Sequence, residues 1–211
     1  MQTCGCPFWL INREKERNMA NINTYKRFHK PVNEEKTKFK QGYYVPENKS
    51  KVIGGDIIYR SSWEYKLARW CDMNPNVFKW GCEVAAIQYR DPAGVNFEEC
   101  RKYGLNPNDP SQWPIKNYYI DFYIEFGDKD YDGNTENIKK VLVEVKPYAQ
   151  TKMPTPVADT AKLADKKRFN REAKIYLTNR EKWKAATEYA KRHGFEFVVW
   201  TEHTLKKVGV L

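Results

Sequence analysis

The chain has 211 residues, and its 37 Lys and Arg residues against 27 Asp and Glu residues give a formal net charge of +10. Aromatic residues make up 15% of the chain, which is enough to build a core, so global disorder is not expected. Neither a bilayer-spanning apolar run nor a secretory signal is recognisable. The charge is typical of proteins that bind nucleic acid or an acidic membrane surface, and a solvated basic surface without a partner is the alternative.

Residues 1–50 are polar and basic, show no sustained apolar periodicity, and are predicted to form a flexible arm. Aromatic residues alternate with its lysines, a mixture that suits a phosphate backbone or a docking partner, with an unstructured tail as the alternative. The five cysteines are odd in number and irregularly spaced, which indicates reduced thiols inside a cell. Cys71 and Cys82 are predicted to be buried, and a zinc site at Cys4 and Cys6 is weakly supported because no second ligand pair matches it.

The clearest helix pattern spans residues 61–73. Ser61 stands three residues before Glu64, which is the spacing of a capping box. Apolar residues then recur at helical spacing until Pro75 closes the segment. Glu64 shares its helix face with Leu67, so its carboxylate is expected to point toward the body of the protein.

Three strands are predicted next, at 84–89, 118–126 and 141–146. The third is the most apolar and is expected to be central in the sheet. Residues 91–117 are rich in Pro, Asn, Asp and Gly and are predicted to be a long surface insertion. Residues 130–134 contain an Asp-Gly pair and are predicted to connect the second and third strands as in a hairpin.

The C-terminal part alternates between helix and strand patterns. A basic helix is predicted at 158–177, and a second helix at 179–193 is ended by Gly194. A fourth strand at 195–200 and a short helix capped by Thr201 follow. The predicted order is therefore helix, three strands, helices and strand.

Four charged residues are expected to converge. Glu144 and Lys146 alternate onto the same face of the third strand, about 7 Å apart along it. Burying a carboxylate and a lysine on an otherwise apolar strand costs desolvation free energy, so their presence there indicates a functional role. Asp121 is predicted on the face opposite to the apolar row of its strand that begins at Ile120, and Glu64 faces inward from the preceding helix.

Such a set of residues suits Mg²⁺, which binds through one or two carboxylates plus phosphate oxygens and keeps several waters. Lys146 would then orient or deprotonate an attacking water whose pKa the metal lowers. Each residue also has a simpler explanation, because Glu64 can be only a capping acid and Asp121 a surface acid at a strand end. Glu144 and Lys146 can be an exposed ion pair that contributes little. The four residues in this order favour the metal site.

The order Ile120-Asp121 followed by Glu144-Val145-Lys146 resembles the PD-(D/E)xK nuclease superfamily, with Ile120 in place of the family's proline. A closer resemblance over residues 42–205 is to the head completion nucleases of tailed phages, which are similar in layout to transposon-end endonucleases. That resemblance rests on these segments: Gly42-Tyr43-Tyr44-Val45-Pro46, Tyr59-Arg60-Ser61-Ser62-Trp63-Glu64, Trp80-Gly81-Cys82-Glu83, Tyr119-Ile120-Asp121-Phe122 and Glu144-Val145-Lys146-Pro147.

The resemblance implies an α/β fold, with a restriction-endonuclease-like core in which a mixed central sheet is flanked by helices. Residues 51–211 would be this nuclease-like domain. The resemblance implies a Mg²⁺-dependent DNA endonuclease, with exonuclease activity as a further possibility and Mn²⁺ as a substitute ion, acting in head completion and head–tail joining after DNA packaging. Its partners would be double-stranded DNA and phage portal or neck proteins, with no membrane. Its location would be the host cytoplasm during assembly, with the virion as a further possibility.

The resemblance also implies roles for individual residues. Asp121, Glu144 and the Val145 carbonyl would bind the metal, and Lys146 would be the catalytic lysine. Glu64 would complete the metal shell, directly or through water. Gln150 would help to position the nucleotide. Glu83 recurs in the pattern, and metal shell and structural support both stay open for it.

Two other classes of function remain. A structural neck or head completion protein can keep a nuclease fold without activity, but all four acid and lysine positions are present here, whereas decay usually removes one. A sequence-specific DNA-binding module is the third class, and neither a helix-turn-helix nor a zinc pattern supports it.

Overall fold

The computed structural model of the chain describes residues 41–129 and 135–211. These residues form a four-stranded central sheet, two small two-stranded sheets and four α-helices. In chain order, the elements are β1 (Gly42–Tyr44), β2 (Ile57–Tyr59), α1 (Ser62–Met73), β3 (Val77–Cys82), β4 (Ala86–Arg90), α2 (Phe97–Tyr103), β5 (Ile115–Tyr119), β6 (Phe122–Lys129), β7 (Thr135–Val145), α3 (Leu163–His193), β8 (Glu196–Trp200) and α4 (Glu202–Lys207).

The central sheet has the strand order β3-β6-β7-β8. The first three strands run antiparallel to their neighbours, whereas β8 pairs with β7 in parallel, so the sheet is mixed. Buried residues of α1 and α4 pack on one face of this sheet, and Ala186 and Ala190 of α3 pack on the other. The structure confirms the predicted mixed central sheet flanked by helices.

Helix α1 begins where the capping-box spacing predicts. The Ser61 hydroxyl accepts a hydrogen bond from the Glu64 N–H at 3.2 Å, which satisfies one of the free amides at the helix N-terminus. Leu67, Ala68 and Cys71 are fully buried against the sheet. The helix and its inward face are therefore confirmed.

The prediction that residues 84–89 form the first strand of the central sheet is wrong. This segment corresponds to β4, which pairs only with β5 and lies outside the central sheet. The sheet instead takes β3, a strand that the sequence analysis did not identify because its polar Lys79 and Gly81 interrupt the apolar pattern.

The strand predicted at 118–126 is divided at Ile120 and Asp121. The segment before the break, β5, pairs with β4, whereas β6 pairs with β3 and β7. Ile120 consequently packs in the cluster under α3, not with Phe122 on the opposite face as predicted. Alternation fails here because the chain leaves one sheet and enters another.

Strand β7 is an inner strand, as its apolar sequence predicts, and it extends from Thr135 to Val145. Its antiparallel pairing with β6 agrees with the predicted hairpin, while the turn at 130–134 lies outside the described residues. The predicted insertion at 91–117 connects β4 to β5 and contains α2. Most of its side chains are exposed, apart from Asp91 and Cys100.

The two helices predicted at 158–177 and 179–193 are one continuous helix, α3, which starts at Leu163. A Thr-Asn pair inside a helix costs only about 0.5 kcal/mol per residue, which packing easily offsets. Asn179 is buried, and the Thr178 hydroxyl donates a hydrogen bond to the Asp91 carboxylate at 3.0 Å. The helix ends at Gly194 in the left-handed conformation, as predicted.

Part of the predicted arm is folded. Tyr44 packs in the core, and its hydroxyl donates to the buried Asp72 at 2.9 Å, so residues 42–50 are attached to the domain. Residues 1–40, with Cys4 and Cys6, lie outside the described residues. In the described part of the chain, Cys71 and Cys82 are buried, as predicted. No helix among the described residues has the length and apolar character needed to cross a membrane.

Candidate active site

Asp121 lies at the point where the chain passes between the two sheets. The ribbon of β3 and β6 bends there into the ribbon of β4 and β5, and Glu83 makes the bend on the opposite strand with a φ of +50°. The Glu83 N–H donates to the Ile120 carbonyl at 3.0 Å. On the other side, Asp121 Oδ2 accepts from the Val145 N–H at 2.8 Å, which fixes the carboxylate against the end of β7.

Glu144 and Lys146 lie beside Asp121. The Lys146 ammonium is 2.8 Å from Glu144 Oε1 and 3.9 Å from Asp121 Oδ2. Glu144 is 1% exposed, so this is not the exposed ion pair that the sequence left open as an alternative. The predicted placement of Glu144 and Lys146 on one face of β7 is confirmed by their direct contact.

The electrostatics of this cluster reflect an excess of negative charge. Burial and then the Glu144 charge raise the pKa of Asp121 well above its ordinary value, against the opposing effect of Lys146. Burial alone would lower the pKa of Lys146, but Asp121 and Glu144 together raise it above its ordinary value. Lys146 is therefore held as a cation, which suits a group that donates hydrogen bonds better than one that accepts a proton.

Glu64 is engaged as a capping residue. Its Oε2 accepts from the Arg60 N–H at 2.7 Å, and its Oε1 accepts from the Ser61 hydroxyl at 2.9 Å. Burial raises the pKa of Glu64, and these hydrogen bonds oppose that effect. Its charge also acts on Asp121 and Lys146, so it lies within electrostatic range of the cluster. Its membership of a metal shell stays a prediction.

The two roles of Glu64 can be separated by a pair of variants. Glu64→Gln is expected to lower Mg²⁺-dependent cleavage sharply with little change in melting temperature, because the amide keeps a capping acceptor but removes a charge. Ser61→Ala is the matched control, since it removes the cap and leaves the carboxylate. It is expected to lower stability by about 1 kcal/mol and to preserve activity. Wild-type cleavage by Glu64→Gln across a Mg²⁺ titration would restrict Glu64 to its capping role.

Glu83 supports the site from the neighbouring bend. Its carboxylate forms an ion pair with the Arg60 guanidinium at 3.0 Å, and the Arg60 N–H in turn binds Glu64. This chain of contacts connects the bend at β3 with the start of α1. The contacts indicate a structural contribution from Glu83.

Gln150 follows the cluster on a short 3₁₀ turn, Tyr148–Thr151. Its backbone N–H donates to the Pro147 carbonyl at 2.8 Å. Its side chain lines a groove of about 470 Å³ between this turn and α3, together with Lys152 and Arg171. The groove also includes Pro147, the residue after Lys146, and the role of Gln150 toward a nucleotide stays a prediction.

Tyr118, which the sequence pattern does not predict, belongs to the site through β5. Its hydroxyl donates to Glu144 Oε2 at 2.6 Å, and Glu144 therefore has a partner on each oxygen. Nothing in the spacing of the sequence identifies this tyrosine, because β5 and β7 are brought together only by the bend at Asp121.

The donor set fits a hard divalent cation. Asp121 and Glu144 supply two carboxylates, and a positive charge, the Lys146 ammonium, already lies between them. No group of three or more His, Cys, Asp or Glu side chains in the described ranges is placed to hold a metal ion. Two carboxylates still suit Mg²⁺, which completes its shell with water and phosphate oxygens.

Residues 74–202 match the family model described as TnsA-like endonuclease N terminal. The chain is also 32% identical to the head completion nuclease of Enterobacteria phage T4 over 170 residues, which cover 80% of this chain and 95% of that protein. The matched family region contains Asp121, Glu144 and Lys146, whereas Glu64 precedes it.

The mixed sheet flanked by helices, together with the matched endonuclease region, thus indicates a nuclease with a restriction-endonuclease-like fold. The chain belongs to the head completion nuclease family, within the TnsA-like endonucleases. The resemblance drawn from the sequence motifs is confirmed.

Proposed function

We propose that the chain is a Mg²⁺-dependent DNA endonuclease that acts in phage head completion. The observation that carries the proposal is the contact of Lys146 with both Asp121 and Glu144 at the bend between the sheets. The T4 relative is named for head completion, which supports head completion as the stage of action. We place this action at head–tail joining after DNA packaging. We also propose portal or neck proteins as partners and action in the host cytoplasm during assembly, with the virion as a further possibility.

In this proposal Asp121 and Glu144 hold the metal, with the Val145 carbonyl as a further ligand and Mn²⁺ able to replace Mg²⁺. The ion, when bound, supplies a positive charge for the phosphate and lowers the pKa of a coordinated water. The Val145 N–H keeps Asp121 oriented toward the end of β7. Lys146 donates to a phosphate oxygen or to the attacking water and stabilises the charge that develops there.

The site lies on the same face of the central sheet as α3, which offers a surface for duplex DNA. Glu144 shares that face with Leu142, which packs under α3, and the charges of Glu144 and Asp121 both act on Lys182 of α3. The first half of α3 and the residue before it carry six basic side chains, most of them exposed: Lys162, Lys166, Lys167, Arg168, Arg171 and Lys174. We propose that this basic surface binds the phosphate backbone next to the site.

Affinity for duplex DNA is accordingly expected to fall steeply with salt and to vary little with sequence, because bound phosphates release counterions. The double variant Lys167→Gln and Arg171→Gln should reduce the slope of log K against log salt by about 2. The pair Lys206→Gln and Lys207→Gln on α4 is the control, since α4 packs on the other face. A dissociation constant that is insensitive to salt, or strong preference for one sequence, would contradict this binding mode.

The proposed activity is tested by nicking of a supercoiled plasmid in Mg²⁺ and in EDTA. Conversion to open circles in Mg²⁺ or Mn²⁺, with none in EDTA, is the expected result. Degradation of a linear, end-labelled duplex from its ends would add exonuclease activity at the same site. Full cleavage in EDTA would overturn the metal dependence, and a complete lack of cleavage with intact DNA binding would favour a structural head completion protein.

A further inference from the structure

Tyr118 is a buried residue that reaches the proposed metal site from outside the central sheet. It is 3% exposed, and its hydroxyl donates to Glu144 Oε2 at 2.6 Å. Burial raises the pKa of this phenol, so it remains a hydrogen-bond donor at neutral pH. The contact joins the small sheet of β4 and β5 to the end of β7.

The ring of Tyr118 is held from two sides. The Lys182 ammonium of α3 lies 5.4 Å from the ring centroid, a distance at which a cation is attracted to an aromatic face. Tyr89 of β4 packs edge-to-face against the same ring at 6.5 Å between centroids. Since both neighbours belong to regular elements, the hydroxyl is fixed in position relative to Glu144.

The hydrogen bond leaves the two oxygens of Glu144 in different situations. Oε2 is bound to Tyr118, whereas Oε1 contacts the Lys146 ammonium on the side of Asp121. A cation that enters between the carboxylates would compete with the partly exposed lysine at Oε1, whereas the phenol at Oε2 is buried and packed. Oε1 is therefore the oxygen of Glu144 at which a metal ion can replace Lys146.

We propose that Tyr118 is a positioning residue that presents Glu144 to the metal through Oε1 alone. This inference rests on the proposed metal-dependent function and extends it to a residue outside the catalytic motif. The partner that this buried hydroxyl takes is one oxygen of a carboxylate that is 1% exposed, and the bond is short at 2.6 Å. Partners that orient a metal ligand typically contribute 10- to 100-fold in metal affinity or activity.

The test is a Mg²⁺ titration of plasmid nicking by Tyr118→Phe, with Mg²⁺ affinity measured independently by calorimetry without DNA. The ring and its contacts stay, so the variant should fold, and only the donor to Oε2 is lost. We expect the half-saturating Mg²⁺ concentration and the calorimetric Kd to rise 10- to 100-fold. The cleavage rate at saturating Mg²⁺ should change much less.

Tyr89→Phe is the matched control, because it makes the same change on a ring that touches Tyr118 and Lys182 but not Glu144. It should keep the wild-type Mg²⁺ affinity. If Tyr118→Phe lowers the melting temperature while its Mg²⁺ affinity matches the wild type, Tyr118 only packs and the inference is overturned. If the wild-type protein itself cleaves without Mg²⁺, the proposed function and this inference fail together.

Discussion

Replacing Asp121 by Asn or Glu144 by Gln is expected to reduce Mg²⁺-dependent DNA cleavage by at least about 10³-fold, which corresponds to about 4 kcal/mol of transition-state stabilisation. Among the ion pairs of the described residues, the carboxylates of Asp121 and Glu144 are the acceptors that contact the Lys146 ammonium, and each variant removes one negative charge. The shape of each side chain is kept, so folding and DNA binding should survive. Single-turnover nicking at saturating protein measures the loss without interference from weaker binding.

Asp128→Asn serves as the control for these variants. Asp128 lies on β6 with Asp121 just before that strand, but it is exposed and sits toward the opposite end of the strand. The control should cleave at the wild-type rate and show the same salt dependence of binding. Cleavage by Asp121→Asn or Glu144→Gln within tenfold of the wild type would exclude these carboxylates from the chemistry.

Lys146→Met is expected to have two effects of opposite sign. The cleavage rate should fall by about 10²- to 10⁴-fold, because the group that donates to the reacting oxygens is lost. Mg²⁺ affinity should rise, because the ammonium no longer neutralises Asp121 and Glu144 and no longer occupies the space between them. The metal-free variant should also lose about 2 kcal/mol of stability, since it leaves the buried Glu144 and the partly exposed Asp121 without their cation.

Calorimetric Mg²⁺ binding and nicking measured on the same preparation separate these effects. Lys140→Met is the matched control, because Lys140 lies on the same strand but its side chain is 47% exposed. Its ammonium makes a long contact of 3.9 Å with Glu125 Oε1. This control should leave rate and affinity unchanged. A Lys146→Met protein that binds Mg²⁺ more weakly than the wild type would indicate that Lys146 supports the metal site structurally instead of competing with the ion.

The sequence predicts those parts of the fold that depend on local patterns. The capping box at Ser61 specifies the start of α1 because the two hydrogen bonds form within one helical turn. The apolar run before Glu144 identifies an inner strand because both faces of β7 are covered. Glu144 and Lys146 follow from the same alternation, and their contact could be predicted from spacing alone.

The remaining features depend on contacts between distant segments. Periodicity assigns 118–126 to one strand because no residue signals the exchange of partners at Asp121, which depends on β3 and β4 pairing elsewhere. The break expected before Asn179 is absent because the fold packs this residue and binds Thr178 to Asp91. Tyr118 reaches Glu144 across 26 residues, so only the assembled structure reveals it.

The central claim is that a divalent ion binds between Asp121 and Glu144, and iron-mediated cleavage of the polypeptide tests it most directly. Fe²⁺ that replaces Mg²⁺ in the site generates hydroxyl radicals with ascorbate and peroxide, and these cut the backbone next to the bound ion. We predict two groups of fragments, with ends near residue 121 and near residues 144–146, that disappear with excess Mg²⁺ and in Asp121→Asn. Cuts at other positions, or cuts at these positions that persist in excess Mg²⁺ and in Asp121→Asn, would contradict a metal site formed by these two carboxylates.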